Sequence, residues 1–151
     1  HMGPDNEYWG LPADCRKRDD TLHTKQPSGP AICDFADGAA GAESVWLVGD
    51  SHAQQWQSAI IELAREKRWN LKISYSGGCP LADATYVGYR GAVAGPESVE
   101  ACALWRGNVA DFVERDAPSK VFTSTFTAGE QIDDGSGRSQ WDQYKDAFSR
   151  Y

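Results

Sequence analysis

The residues best placed to do chemistry are Gly49-Asp50-Ser51-His52, which follow the apolar run Val45-Trp46-Leu47-Val48 directly. Ala53-Gln54-Gln55-Trp56-Gln57-Ser58-Ala59-Ile60-Ile61 then reads as a helix. A serine at a strand-to-helix junction lies beside the unpaired N–H groups that open a helix. Such N–H groups can stabilise an oxyanion, so Ser51 is a candidate nucleophile for acyl chemistry. Gly49 lets the chain bend there without a Cβ clash. The alternative is that Ser51 simply caps the helix.

A serine nucleophile needs a base, and the sequence offers three histidines. His1 belongs to His1-Met2-Gly3-Pro4, which reads as an expression-vector remnant. His23 lies in a Gly/Pro-bearing arm and is expected to be solvated. His52 adjoins Ser51, but successive side chains at a helix start diverge by about 100°. It is therefore expected to pack, or to border substrate, rather than to take the serine proton. Asp50 is expected to brace the turn by accepting backbone N–H groups.

These residues need elements to hold them. The run ending at Val48 is short and continuously apolar, as in a strand buried on both faces. Trp56, Ala59, Ile60, Leu63 and Ala64 recur at helical spacing over residues 52–68. Residues 69–75 alternate as a second strand, and strand–helix–strand at this spacing implies a parallel crossover. A Gly-rich stretch over 76–96 predicts a long functional loop. A helix over 99–114 carries Cys102, Trp105, Val109, Phe112 and Val113 on one face, and residues 120–125 form a third strand. A polar linker over 132–138 leads to a closing helix capped by Ser139, with Trp141, Tyr144 and Phe148 on one face. The pattern is an α/β fold with an open parallel sheet. Ligands of such sheets bind beyond the carboxyl ends of the strands, where Ser51, Gly77 and Gly78, and Phe126-Thr127-Ala128 would converge.

At 151 residues the chain fits one core, preceded by an arm over 5–43. Its net charge of −7 argues against nucleic acid or an anionic membrane surface as the main partner. Cys15, Cys33, Cys79 and Cys102 lack zinc-site spacing and lie in loop-like segments. Two disulfides and an oxidising compartment follow, with Cys15–Cys33 and Cys79–Cys102 favoured among three connectivities. Four free buried thiols are the alternative. No metal or organic cofactor is implied.

Gly49-Asp50-Ser51-His52 after a buried strand resembles the first block of the SGNH (GDSL-like) hydrolases, whose fold is a flavodoxin-like three-layer sheet. Together with Ser76-Gly77-Gly78-Cys79-Pro80 and a paired downstream cysteine, it looks like the extracytoplasmic SGNH domain fused to membrane acyltransferase-3 proteins. The resemblance spans about Cys15 to Tyr151. It implies that Ser51 is the nucleophile and an oxyanion donor, with Gly78, or Gly77, supplying a second N–H. It also implies a membrane acyltransferase domain as acyl donor and a cell-envelope carbohydrate as acceptor, as in O-acetylation. The family's Gly-x-Asn-Asp block has no counterpart in Thr123–Gly129, and its closing Asp-x-x-His is absent. Residues 44–151 are therefore expected to be the first part of a catalytic domain, incomplete on its C-terminal side and nearly inactive alone.

Two other readings compete. For the carbohydrate of the acyl-transfer reading, Tyr86, Tyr89 and Trp105 are candidate sugar platforms, with core or loop packing as the alternative, whereas one rival is a non-catalytic module that binds glycan or a partner protein. The other is a flavodoxin-like phosphate binder, disfavoured because the turn lacks a Gly-rich loop and a lysine.

Overall fold

Val45, Trp46, Leu47 and Val48 are all buried, and this apolar run organises the sheet around itself. The computed structural model describes residues 10–16 and 22–149; residues 1–4, with His1, and part of the arm lie outside them. In chain order the elements are β1 (Cys15–Arg16), β2 (Ala31–Asp34), β3 (Ser44–Gly49), α1 (Ser51–Gln55), α2 (Gln57–Lys67) and β4 (Asn70–Tyr75). There follow β5 (Thr85–Tyr89), β6 (Ala92–Val93), α3 (Pro96–Asp116), β7 (Lys120–Ser124), β8 (Glu130–Asp133) and α4 (Gln140–Phe148).

The main sheet has the order β1-β2-β4-β3-β7. β4, β3 and β7 are parallel, as the strand–helix–strand pattern requires. β1 and β2 add to it antiparallel, so the sheet is mixed, with a parallel centre. This corrects the expectation of an irregular arm. Strands of two and four residues carry too little periodicity to be read, and they are held by pairing Cys15 opposite Cys33 and Cys33 opposite Leu71. The register sets Gly49 opposite Tyr75 on one side and Ser124 on the other, so three parallel strands end level.

The helix expected over 52–68 is broken at Trp56, which closes α1 and opens α2. Gln57, Ile60, Ile61 and Ala64 face the core, and Trp56 is 59% exposed. The apolar stripe is thus turned from the one the spacing suggested. On α3, Cys102, Trp105 and Val109 are buried as expected, with Phe112 and Val113 packed beside them. On α4, Tyr144 and Ala147 are buried while Trp141 is exposed. Ser139 caps α4 by accepting from the Asp142 N–H.

The stretch between β4 and α3 contains a hairpin. β5 pairs with β6 and with β8 to form a second, antiparallel sheet of three strands. A bulge between Tyr86 and Gly88 breaks its alternation, which is why the sequence reads there as a loop. β8 likewise takes up the start of the expected polar linker. Both disulfides form between sequence neighbours, Cys15–Cys33 and Cys79–Cys102, and no cysteine is free. The second ties the segment after β4 to α3.

Candidate active site

Gly49 makes the turn possible. Its φ is +152°, and a Cβ there would overlap the Ser124 carbonyl oxygen and come within 2.9 Å of Ala53 Cβ. Only glycine fits so close to β7. The Ser76 N–H donates to the Gly49 carbonyl at 3.0 Å, tying the end of β3 to the end of β4.

Asp50 then braces the bend. It is fully buried, and its carboxylate accepts the His52 N–H at 2.6 Å and the Phe126 N–H at 2.5 Å. The Thr125 hydroxyl lies 3.2 Å from the same oxygen that Phe126 contacts. One carboxylate thereby fixes the segments after β3 and β7 to each other. Charge-assisted bonds of this kind are the strong ones in proteins.

Ser51 is the first residue of α1 and is exposed. Among the described residues its hydroxyl has no hydrogen-bond partner, and its N–H and those of Gly77 and Gly78 donate to no protein acceptor. Gly78 has φ +76°, the left-handed conformation that glycine adopts at little cost. The cavity beside these glycines, about 260 Å³, is walled by His23, Tyr86, Ser98 and the Cys79–Cys102 disulfide. Ser51 follows the end of β3 and Gly77 and Gly78 follow the end of the neighbouring β4, although Ser51 does not line that cavity.

The two described histidines are engaged elsewhere. His52 stacks on Phe126, ring centroids 4.7 Å apart and planes 11° from parallel, with Nδ1 3.5 Å from Asp50 Oδ1. His23 Nε2 is 2.6 Å from Ser76 Oγ, just before Gly77. His23 thus corrects the expectation of a solvated residue, and only its distance in sequence hid its contact with the loop after β4. Trp105 is buried and donates from Nε1 to Ser74 Oγ at 3.0 Å, so it offers no sugar platform. Tyr86 lines the cavity, and Tyr89 is 38% exposed beside Phe126.

Two further residues support the turn and were not visible in the sequence reading. Thr125 Oγ1 lies 2.9 Å from Glu130 Oε2, and Glu130 is buried beneath it. Burial, then the negative charge of Asp50, pushes the Glu130 carboxyl up to about 8. A glutamate in a polar stretch carries no sequence signal of burial.

Fold and site together define an α/β domain that presents a serine at the carboxyl end of a parallel sheet. The chain belongs to the family of SGNH domains fused to AT3 domains, whose model matches residues 14–150. No curated protein and no solved structure matches it. No helix among the described residues is long and apolar enough to cross a membrane.

Proposed function

We propose that this domain is an O-acyltransferase or esterase in which Ser51 carries the acyl group on its way to a hydroxyl of a cell-envelope glycan. Ser51 Oγ attacks the carbonyl carbon of the acyl donor and its proton passes to a base. The oxyanion is held by the N–H groups of Ser51 and Gly78, with Gly77 beside them. The donor's leaving group departs with a proton, leaving a serine ester. A sugar hydroxyl, or water, then attacks that ester and restores Ser51. The membrane acyltransferase domain that accompanies this family is the proposed donor, and the two disulfides, which persist in oxidising compartments, support a reaction outside the cytoplasm.

The observation that carries this reading is the exposed Ser51 hydroxyl, without a partner among the described residues, beside three strand ends that finish level. Because His23 and His52 are held by Ser76 and Phe126, the reading takes the Ser51 proton to a base outside the described residues. The same observation favours one rival, a glycan- or partner-binding module of hydrolase fold. A fluorophosphonate serine probe separates the two when applied to the full-length membrane protein. Labelling at Ser51 supports acyl transfer, and a folded protein that stays unlabelled supports binding. The 151-residue chain alone is expected to turn over a chromogenic acetate ester at close to the background rate.

A further inference from the structure

Two carboxyl groups lie buried side by side under the serine turn, and the turn's geometry does not let both be charged. Asp50 and Glu130 are 0% and 2% exposed. Thr125 Oγ1 is within hydrogen-bond distance of an oxygen of each, at 3.2 Å from Asp50 and 2.9 Å from Glu130, yet it carries a single proton. The Asp50 carboxylate is thus the nearest charge to Glu130 across the shared Thr125 hydroxyl, and it raises the Glu130 carboxyl further. Among the described residues neither carboxyl has an arginine or lysine ion-pair partner. The ion-pair contact on this site among the described residues is His52 Nδ1, 3.5 Å from Asp50 and not from Glu130, and two like charges in one buried site resist ionising together, which favours retention of one proton. Asp50 already accepts two backbone N–H groups, which favour its charged form. The proton therefore belongs to Glu130.

We propose that Glu130 is kept as a neutral acid through physiological pH and donates its proton to the Asp50 carboxylate, making it a positioning residue for the turn that presents Ser51. The surroundings agree from each side. Burial and the nearby carboxyls raise Tyr86 on β5 and Tyr144 on α4, which are neutral phenols at that pH, and the Tyr144 hydroxyl donates to the Glu130 backbone carbonyl at 3.0 Å. The Arg90 guanidinium sits over the rings of Tyr89 and Phe126, 5.3 Å from each centroid. His52, on α1, faces Asp50 and not Glu130. Burial, with the Asp50 charge beside it, raises Glu130 to about 8, in the direction the geometry favours.

The reading of Ser51 as nucleophile gives this arrangement its purpose, but its test does not need Ser51 to react. The backbone amide resonances of His52 and Phe126 report on Asp50 and can be followed by NMR from about pH 5 to about pH 9. In the wild-type chain both are expected to shift together with a midpoint near 8, and in Glu130→Gln, which keeps the donor, both stay flat. Infrared spectra at neutral pH should show a protonated-carboxyl C=O band that Glu130→Gln removes. Glu130→Ala, lacking the donor, should displace both resonances at every pH. The same titration in wild type and Glu130→Gln, or no band lost on substitution, would overturn the proposal. An unlabelled Ser51 in the probe experiment would instead refute acyl transfer and leave Glu130 untouched.

Discussion

Ser51 owes its exposure to two neighbours that cannot themselves react. Gly49 sits where a side chain would enter the β7 backbone, and Asp50 exchanges water for the N–H groups of His52 and Phe126. Gly49→Ala combines a backbone conformation hostile to L-residues with overlap of the Ser124 carbonyl. The strain of the first alone is about 1–3 kcal/mol. Denaturant unfolding is expected to show a loss of at least that size, with Ser51→Ala nearly neutral because its hydroxyl has no partner among the described residues. The Gly-Asp-Ser block was legible because glycine, a short acid and serine after an apolar run have few other uses. Thr125 and Glu130 were not, since their role arises only when β7 and β8 bring them under Asp50. Glu130 also bears on stability. Its folded-state affinity for a proton is raised from 4.5 to about 8, so folding is most favoured below the lower value. Stability contributed by that proton is lost as pH rises toward the upper one, and the melting temperature of Glu130→Gln should lack this decline.

At the scale of elements, two devices hold the sheet's ends. At the carboxyl end, the Cys79–Cys102 disulfide joins the Gly77-Gly78 segment to α3 across 23 residues of sequence. Removing it with Cys79→Ser and Cys102→Ser together is expected to cost about 3 kcal/mol. Hydrogen exchange should then quicken first at residues 76–81, leaving the centre of β3 protected. At the opposite end, Asp116 closes α3 by accepting from Lys72 Nζ at 2.5 Å, Trp46 Nε1 at 2.8 Å and the Ser44 hydroxyl. Burial raises this carboxyl, but the bonds from Lys72, Ser44 and Trp46 outweigh it and hold Asp116 below its usual 3.8. A lowered carboxyl stabilises the fold above its unfolded value, and that stability disappears as pH falls through the folded one. Asp116→Asn should therefore be less stable than wild type near pH 7, the difference closing as acid protonates the Asp116 carboxylate. The parallel strands and α3 were readable because each is long enough to show its period. β1, β2 and the β5-β6-β8 sheet were not, being two to five residues long, bulged at Tyr86–Gly88 or dependent on distant pairing. Trp56, at the break between α1 and α2, and Trp141, on α4, depart from the expected stripes as large apolar residues that the fold leaves exposed.

For the whole molecule, the proposed chemistry lies at the end of the sheet where β4, β3 and β7 finish beside one another. A net charge of −7 suits a neutral sugar acceptor better than a polyanion. The domain is proposed to work beside a membrane acyltransferase that feeds it, so the decisive measurement uses the full-length protein in its membrane. Exposed to acyl donor and quenched in acid, the peptide carrying Ser51 is examined by mass spectrometry. An acyl ester on Ser51 that builds up without glycan, is discharged when glycan is added and is missing from Ser51→Ala is the predicted result. A folded, donor-exposed protein with Ser51 unmodified, or glycan acylated as fast by Ser51→Ala as by wild type, would contradict it.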